Sequence, residues 1–426
     1  MRILIIGGGG REYAIAKRLA ADPRAERIFV LPGNGGMREF AECVDIKATD
    51  IAGICDFAVK NRVDFAVVTP DDPLALGAVD MLRARGIRCF GPTKAAARIE
   101  ASKSFAKELM SKYGIPTAQC RVFDDPDEAL SYIESAPLPA VVKADGLALG
   151  KGVFICRERS EAVEAVSALM SGSRCGESGR RVLIEEFLEG PEVSVLSLTD
   201  GKTLLPLISS MDHKTIGEGG TGANTGGMGV IAPNPFYTED IAAECMERIF
   251  LPTINAMAAE GCPFTGCLYF GLMLTKDGPK VIEYNCRFGD PEAQTVLALL
   301  TDGLLDLLLS ASDGSLASQK AEFADKSACC VVLASGGYPG SYKKGLPISV
   351  DTEEFTRAAV GCGGELVHAG TKLTPLGYVT AGGRVLNVIA KGDTLEEAIE
   401  KAYELAGYVH FDGAYMRRDI GKSALK

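Results

Sequence analysis

Three polar side chains alternate with apolar ones where residues 281–288 read VIEYNCRF. This period of two predicts a strand on which Glu283, Asn285 and Arg287 share one face, while residues 282, 284 and 286 face a core. A carboxylate and an amide oxygen on one face form half of a site for Mg²⁺, which completes its shell with water and nucleotide phosphates. Arg287 adds a planar fork for a carboxylate or a phosphate. The alternative is an ordinary strand with a solvated polar face, so the rest of the chain decides.

A second group of charged residues follows a short apolar strand predicted over residues 140–144, which carries Lys143. The strand leads into DGLALGKGV at 145–153. Glycines let a backbone approach phosphates closely, and lysines neutralise phosphate charge. The order differs from the P-loop, GxxxxGK[ST], because a glycine follows the lysine. We predict a mobile flap over phosphates, with a plain flexible hairpin as the alternative. Its candidate contacts are Gly150, Lys151 and Gly152.

The segment 181–192, RVLIEEFLEGPE, predicts another strand that leaves into a turn. A strand edge can offer main-chain donors and acceptors to a flat base, and Glu192 can accept hydrogen bonds from ribose hydroxyls. An ordinary sheet edge has the same pattern. The region richest in glycine follows at 217–229, GEGGTGANTGGMG, and a long glycine-rich loop inside a domain is usually functional or disordered. Asn224 and Thr225 lie within it, and Asp212 and Lys214 precede it.

The N-terminal hundred residues alternate short apolar strands with helices, which predicts a parallel sheet. A glycine turn, including Gly9 and Gly10, joins the first strand to a helix and resembles a dinucleotide site. Dinucleotide binding is rejected because Glu12 stands where the third glycine belongs, and because LPG, not an acid, follows the second strand. With Arg11 beside it, the turn favours a phosphorylated small molecule. Tight strand–helix packing is the alternative.

The sequence 69–73, TPDDP, stands where another parallel strand ends and a helix begins. Ligands collect at such carboxyl ends in open α/β sheets, but Asp71 or Asp72 can also cap the helix, and for at least one of them we predict the cap.

Composition narrows the class of protein. The chain has 426 residues, a net charge of −11 and three histidines, which argues against a nucleic-acid surface. Its thirteen cysteines are scattered without a CxxC pair, so we expect free thiols in the cytoplasm, not a zinc site or disulfides. The opening strand at 3–6 is too short for a signal peptide, and no apolar run reaches membrane-spanning length.

The last hundred residues predict a closing domain. Residues 328–333, ACCVVL, read as a buried strand, and 394–407 as an amphipathic helix with a Thr cap and a terminal glycine. Arg417, Arg418 and Asp419 can bridge domains or touch a phosphate, and we favour the structural role. Because the chain stops soon after Gly421, we expect no further catalytic domain.

The order of these motifs over the whole chain resembles the phosphoribosylamine–glycine ligases (glycinamide ribonucleotide synthetases) of the ATP-grasp superfamily. The resemblance rests on GGRE, FGP, the flap, EEFL, DHK, TGANTGGMG, IEYNCRFGDPE, GGYPG, HAGT and GGRVL. It implies ATP-dependent ligation of glycine to 5-phosphoribosylamine, through glycyl phosphate, in purine biosynthesis. It also implies ATP and Mg²⁺, with Mn²⁺ as an alternative, and a monomer, with a weak dimer as the alternative.

The resemblance also implies roles for individual residues. It assigns Lys143, Asp212, Lys214 and Arg287 to catalysis, and Glu283 and Asn285 to the metal. It assigns ATP to Lys103, Lys143, Gly150, Lys151, Gly152, Glu185, Glu186, Phe187, Leu188 and Glu192. It assigns the other substrates to Gly9, Gly10, Arg11, Glu12, Asp212, Asn224, Thr225, Arg287, Asp290 and Pro291. Departures from the family pattern at Gly8, Tyr13, Thr215, Glu218, Gly220 and Ala223 flank substrate positions.

The predicted fold is α/β and α+β: an N-terminal parallel-sheet domain (1–100), an ATP-grasp domain (101–327, with a lid at about 120–190) and a small α+β domain (328–426). Three alternatives stay open at this point: another ATP-grasp ligase or carboxylase, an NAD-dependent dehydrogenase, and a non-catalytic nucleotide-binding protein. The strand before the metal strand carries no acid, which argues against the carboxylases.

Overall fold

The computed structural model describes residues 1–148, 152–173 and 175–425. The chain begins with a parallel sheet in the order β3-β2-β1-β4-β5, whose strand β1 supplies side chains to both faces. Leu4 and Ile6 enter one hydrophobic core while Ile3 and Ile5 enter another, as expected for a strand buried on both sides. The elements are β1 (Arg2–Gly7), α1 (Gly10–Ala20), β2 (Arg27–Pro32), β3 (Glu42–Cys43), α2 (Ile51–Lys60), β4 (Phe65–Val68), α3 (Asp71–Leu76), α4 (Ala78–Ala84) and β5 (Arg88–Phe90).

Two helices, α5 (Lys94–Ala101) and α6 (Lys103–Tyr113), lead to a small antiparallel sheet in the order β6-β9-β7-β8. Two helices, α7 and α8, pack with this sheet around a hydrophobic core of their own. We call this unit the lid. Its elements are β6 (Cys120–Phe123), α7 (Pro126–Ser135), β7 (Ala140–Ala144), β8 (Val153–Cys156), α8 (Arg159–Met170) and β9 (Val182–Glu186).

An antiparallel sheet in the order β11-β10-β16-β17 carries the strand with the predicted metal ligands. Its strands are β10 (Glu192–Asp200), β11 (Leu204–Pro206), β16 (Thr265–Thr275) and β17 (Gly278–Asn285). The accompanying helices are α9 (Glu239–Cys245), α10 (Leu251–Ala259), α11 (Glu292–Leu299) and α12 (Leu304–Asp313). The pairing of β16 with β17 shifts by one residue at Ile282. This irregularity turns Ile282 toward a cavity, so the prediction that it faces the core is wrong.

The last sheet has the strand order β12-β15-β18-β23-β20 and joins two distant parts of the chain. The strands β12 (Met211–Asp212) and β15 (Gly229–Ala232) come from the middle of the chain, and the others come from its last hundred residues. Its other strands are β18 (Ser327–Ser335), β20 (Glu365–His368), β23 (Arg384–Gly392) and β25 (Ala414–Tyr415), with helices α13 (Thr352–Cys362) and α14 (Leu395–Ala406). Three two-stranded ribbons complete the described fold: β13 (Thr215–Gly217) with β14 (Thr221–Asn224), β19 (Ser349–Val350) with β24 (Val409–His410), and β21 (Thr371–Thr374) with β22 (Gly377–Thr380).

The glycine-rich region therefore folds as β-structure where the sequence predicted a long loop. We call Thr215–Asn224 the cavity hairpin. Among the described residues, no helix is both long and apolar enough to span a membrane.

Candidate functional site

A cavity of about 1250 Å³ lies where the three sheets and the lid meet. It brings together predicted residues that are far apart in sequence. Those that line it are Arg11, Lys103, Lys143, Gly152, Glu185, Glu186, Phe187, Leu188, Glu192, Asp212, Lys214, Asn224, Thr225, Glu283, Asn285, Arg287 and Asp290. The predicted flap contacts Gly150 and Lys151 lie outside the described residues.

The strand β17 presents Glu283 and Asn285 to this cavity, and Arg287 follows just after the strand ends. Lys214 donates to Glu283 Oε1 at 2.9 Å. Burial opposes ionisation of Glu283, but the Lys214 ammonium outweighs it and lowers the pKa of the carboxyl to about 2. Glu283 is therefore ionised at neutral pH and could offer a cation a hard-oxygen ligand.

A cation can use this pair only with help from other ligands. In the described residues, no group of three His, Cys, Asp or Glu side chains is arranged to hold a metal. One carboxylate and one amide oxygen suit Mg²⁺, which keeps several waters and takes phosphate oxygens. The donor set fits a metal that arrives with a nucleotide.

One half of the cavity, the lysine-rich half, contains buried lysines arranged around one glutamate. Glu185 Oε2 accepts from Lys143 at 2.9 Å and lies 3.3 Å from Lys107. Lys143 also donates to the Ile282 carbonyl at 3.2 Å, which ties the lid sheet to the metal strand. Lys103 donates to the carbonyl of Gly146 at 3.1 Å, at the start of the flap. Burial lowers the pKa of Lys103 and of Lys107.

The opposite half contains two carboxyl groups, of which Glu292 is buried and Asp212 is half-buried. Asp212 Oδ1 is inaccessible to solvent and has no hydrogen-bond partner among the described residues. Burial, and then the nearby Glu292, raise the pKa of Asp212 well above its ordinary value, while burial raises the pKa of Glu292. The Tyr269 hydroxyl, held by Ser194 at 2.8 Å, contacts Glu292.

The wall beside Asp212 requires a glycine. Gly227 has φ +112, and a Cβ there would lie 2.7 Å from Asp212 Oδ1 and 2.5 Å from Pro291 Cδ. A side chain at this position would therefore displace the aspartate or the proline. Pro291 supports the wall and does not itself line the cavity.

Two arginines mark the side of the cavity next to the N-terminal sheet. Arg287 pairs with the buried Glu100 at 2.9 Å, and Glu100 also accepts from the Cys286 amide at 2.7 Å. Arg11 donates to the Phe288 carbonyl at 2.9 Å, which joins α1 to the end of the metal strand. Both guanidiniums reach the cavity from a fixed position.

The glycine turn before α1 differs from the predicted arrangement. Glu12 is 1% exposed and accepts from the Gly9 amide at 2.6 Å, from Arg11 at 2.5 Å and from Thr69 at 2.7 Å. Its carboxylate closes the turn from below instead of contacting the cavity, and neither Gly9 nor Gly10 lines it. Of this turn, Arg11 alone is a cavity residue among the described atoms.

The capping role predicted for Asp71 or Asp72 is also wrong. The N-cap of α3 is Pro70, without a side-chain cap, and Asp71 accepts from the Asp72 amide at 3.1 Å. Asp71 lines the cavity instead. It stands at the carboxyl end of β4, where ligands of parallel sheets gather.

Two cavity residues, Glu100 and Lys107, were not predicted from the sequence. They lie on α5 and α6 and carry no local signal, because only the packing of distant elements brings them to the cavity. Three other cavity residues stand at positions that the sequence did mark, but without a predicted role in the cavity: Glu292 in the motif of Asp290, Arg384 in GGRVL, and Arg417, for which a structural role was favoured.

Comparisons with known proteins agree on one family along the chain. Three family models match: phosphoribosylglycinamide synthetase N domain over residues 1–100, ATP-grasp (A) domain over 101–293 and C domain over 328–423. The chain belongs to the phosphoribosylglycinamide synthetase family. The resemblance stated from the motifs is thus confirmed, as is the three-part fold with its N-terminal parallel sheet and ATP-grasp domain.

Individual relatives of the family are similar over their full length. The phosphoribosylamine–glycine ligase of Clostridium acetobutylicum is 45% identical, with 99% of this chain and 100% of that protein aligned. The ligase of Pasteurella multocida is 46% identical, with 100% and 98% aligned. The crystal structure of the Thermotoga maritima ligase superposes with a TM-score of 0.85 at 35% identity, covering 99% of this chain and 100% of that one.

A more distant likeness concerns the fold alone. The biotin carboxylase domain of Hydrogenobacter thermophilus 2-oxoglutarate carboxylase, solved with MgADP, ADP and bicarbonate, has a TM-score of 0.74 at 17% identity and covers 97% of this chain and 91% of that one. Family membership favours a ligase over the dehydrogenase and carboxylase alternatives.

Proposed function

We propose that this protein joins glycine to 5-phosphoribosylamine at the expense of ATP, giving 5-phosphoribosylglycinamide, ADP and phosphate in purine biosynthesis. Membership of the phosphoribosylglycinamide synthetase family supports the reaction. The observation that carries it is the cavity itself. A half rich in lysines meets a half that contains two carboxyl groups, and Glu283 and Asn285 stand between them.

ATP occupies the lysine-rich half in this proposal. Lys103 and Lys143, with Gly150, Lys151 and Gly152 of the flap, neutralise the phosphates. The main chain from Glu185 to Leu188, including Glu186 and Phe187, borders the base, and Glu192 accepts from the ribose. Lys107 and Lys143 both pair with Glu185, so that the carboxylate holds Lys143 in position on β7.

Glu283 and Asn285 would hold a divalent cation, Mg²⁺ or Mn²⁺, which would supply charge neutralisation at the transferred phosphate. In the structure Lys214 is paired with Glu283. A cation on Glu283 would release Lys214, whose ammonium could then neutralise the acyl phosphate. No side-chain nucleophile is required, because positioning and charge account for this chemistry.

The acid pair of Asp212 and Glu292 binds the glycine ammonium. An unpaired carboxylate oxygen in a closed wall is costly unless a charged donor meets it, and an ammonium is such a donor. With the ammonium on Asp212 and Glu292, the carboxylate of glycine points toward Lys214 and the γ-phosphate. Its oxygen attacks the γ-phosphorus and ADP leaves. The product is glycyl phosphate, which closure of the lid protects from water.

Phosphoribosylamine enters on the side of the two arginines. Arg11 and Arg287 contact its phosphate or ribose, and Asn224, Thr225 and Asp290 border it. Its amine attacks the acyl carbon, inorganic phosphate leaves, and the nitrogen loses one proton as the amide forms. Gly9, Gly10, Glu12 and Pro291 contribute by shaping the turn and the wall around these groups.

We further propose that the enzyme works in the cytoplasm as a monomer. Its thirteen cysteines are all unpaired, which suits a reducing compartment, and the described residues already complete a cavity within one chain.

The decisive experiment measures ADP release with ATP and Mg²⁺, with and without glycine, and with phosphoribosylamine formed in place from ribose 5-phosphate and ammonia. We expect release that requires both glycine and the amine. Release that ignores glycine would overturn the proposal, and release that requires bicarbonate would replace it with a carboxylase-type reaction.

A further inference from the structure

Residues 415–419, here called the C-terminal segment, form several hydrogen bonds with the cavity hairpin. Tyr415 donates its hydroxyl to the Ile216 carbonyl at 2.7 Å. Arg417 Nη1 donates to both the carbonyl and the hydroxyl of Thr215 at 3.1 Å. Asp419 accepts from the Gly219 amide at 2.7 Å, in the turn of the hairpin. The segment runs beside a hairpin that has only two short strands of its own.

Arg417 is the centre of this contact. It is 4% exposed, and its Nε and Nη2 each donate to Asp419 at 2.8 Å. A buried guanidinium carries a charge that is costly to leave without partners. Its position is therefore stable only while these acceptors stay in place. The aspartate fixes the plane of the guanidinium, and the remaining nitrogen is directed at Thr215.

Thr215 is adjacent to Lys214, the residue that reaches Glu283. The other end of the hairpin holds the same residue, because Thr225 donates its amide and its hydroxyl to the Lys214 carbonyl at 2.8 and 2.7 Å. The backbone of Lys214 is thus fixed from one side by Thr225 and from the other by Arg417 through Thr215. Movement of the hairpin would shift the Lys214 ammonium relative to Glu283.

We propose that Arg417 is a positioning residue for substrate binding: through Thr215 it holds the cavity hairpin and Lys214 in place, so that the Lys214 ammonium faces the carboxylate of bound glycine. The C-terminal segment thereby contributes to substrate binding through the hairpin, in addition to lining the cavity with Arg417 and Asp419. This inference rests on the proposed function, because it names glycine as the bound substrate.

The test compares Arg417→Met with Arg418→Met in the full chain. The two residues are neighbours of the same type, but the side chain of Arg418 is exposed, and its amide, which donates to Glu218 at 3.1 Å, is kept in the variant. We expect Arg417→Met to raise KM for glycine about tenfold, the range of one lost bond to a charged group, while KM for ATP changes by less than about twofold. Arg417→Lys should recover part of the loss.

Equal changes in both KM values, or equal effects of Arg417→Met and Arg418→Met on KM for glycine, would overturn the inference. A fall in kcat alone, with KM for glycine unchanged, would also overturn it, because positioning of the binding wall must appear in KM.

A second variant avoids the risk that loss of Arg417 unfolds the chain. Tyr415 is partly exposed, and Tyr415→Phe removes only the bond to Ile216. We expect amide hydrogen exchange over residues 215–224 to become about threefold faster in Tyr415→Phe and at least about tenfold faster in Arg417→Met, with Arg418→Met unchanged. Unaltered exchange in the first two variants would overturn the inference.

The exchange experiment also separates this inference from the proposed function. If the wild-type protein releases ADP without glycine, the proposed function fails, whereas faster exchange over 215–224 in the Arg417 variant still shows that Arg417 holds the hairpin.

Discussion

The two halves of the cavity differ in their charged groups. In the lysine-rich half, Lys107 and Lys143 pair with the same carboxylate, Glu185, and Lys103 lies nearby. In the other half, Asp212 and Glu292 influence one another, and Asp212 Oδ1 has no partner among the described residues. In the proposed function the first half receives the anionic triphosphate and the second receives the cationic amine.

Glu283→Gln should have the largest effect, because it acts at the boundary of the two halves. The amide keeps the shape but loses the charge that binds the cation and attracts Lys214. We expect turnover to fall by at least about 100-fold, as when one preorganised electrostatic contact is removed, with an unchanged circular dichroism spectrum. Near-normal turnover at saturating Mg²⁺ would contradict the metal assignment.

Lys143→Met should weaken the use of ATP, which the lysine-rich half is proposed to bind, without affecting glycine binding. It removes a cation that spans Glu185 and the carbonyl of Ile282, and leaves Lys107 as the partner of the buried glutamate. We expect kcat/KM for ATP to fall by about 100-fold, while KM for glycine changes by less than about threefold. A larger effect on glycine than on ATP would contradict the division of the cavity.

Glu292→Gln should weaken glycine binding in the half that contains Asp212 and Glu292, without affecting ATP. The variant keeps the size of the side chain beside Tyr269 but removes an ionisable carboxyl from the proposed ammonium site. We expect KM for glycine to rise about tenfold with KM for ATP unchanged. Glu247→Gln, the same change at an exposed glutamate outside the cavity lining, is the matched control and should leave KM for glycine unaffected.

The pH dependence of the two KM values should be the smallest effect. It nevertheless separates the two halves of the cavity most clearly. Because burial raises the pKa of Asp212 and of Glu292, the pair is protonated at lower pH and ionises as pH rises. The ionised pair binds an ammonium, so KM for glycine should fall as pH rises through these raised pKa values. Glu283, with a pKa of about 2, stays ionised, so KM for ATP should stay flat between about pH 5 and 8. Parallel profiles for the two substrates would contradict the comparison.

The same pair has a consequence for stability, with the sign set by the raised pKa. A carboxyl whose pKa is raised by folding stabilises the fold while it is protonated, and this contribution is lost as pH rises through the folded-state value. We therefore expect Asp212→Asn to increase the melting temperature more at pH 8 than at pH 5. Thermal unfolding at the two pH values measures the difference.

Much of the fold was predictable because its signals are local. The continuous apolar run at Ile3–Ile6 predicted a strand buried on both faces, and β1 has this character. The alternation at β17 predicted that Glu283 and Asn285 share a face, and both line the cavity. The prediction failed at Ile282, because a one-residue register shift depends on the partner strand β16.

The glycine-rich region shows where local signals end. Its composition predicted a loop, but the cavity hairpin forms because Tyr415, Arg417 and Asp419 supply partners about 200 residues away in sequence. The glycine turn before α1 is a second case, because the sequence predicted a phosphate site there. In the structure Thr69 and Arg11 donate to Glu12 and hold its carboxylate against the turn, so Glu12 does not line the cavity.

The sequence by itself determined the family, the order of strands and helices, and the residues of the metal strand, because each depends on neighbours within a few positions or on motifs in a fixed order. The tertiary structure alone decided that Lys107 and Glu100 belong to the cavity, and that Arg417 reaches it as well as having the structural role that the sequence favoured. Their roles come from burial beside charges that are distant in sequence. The strength of a charge interaction depends on distance in space and on exclusion of water, and neither can be read from a linear sequence.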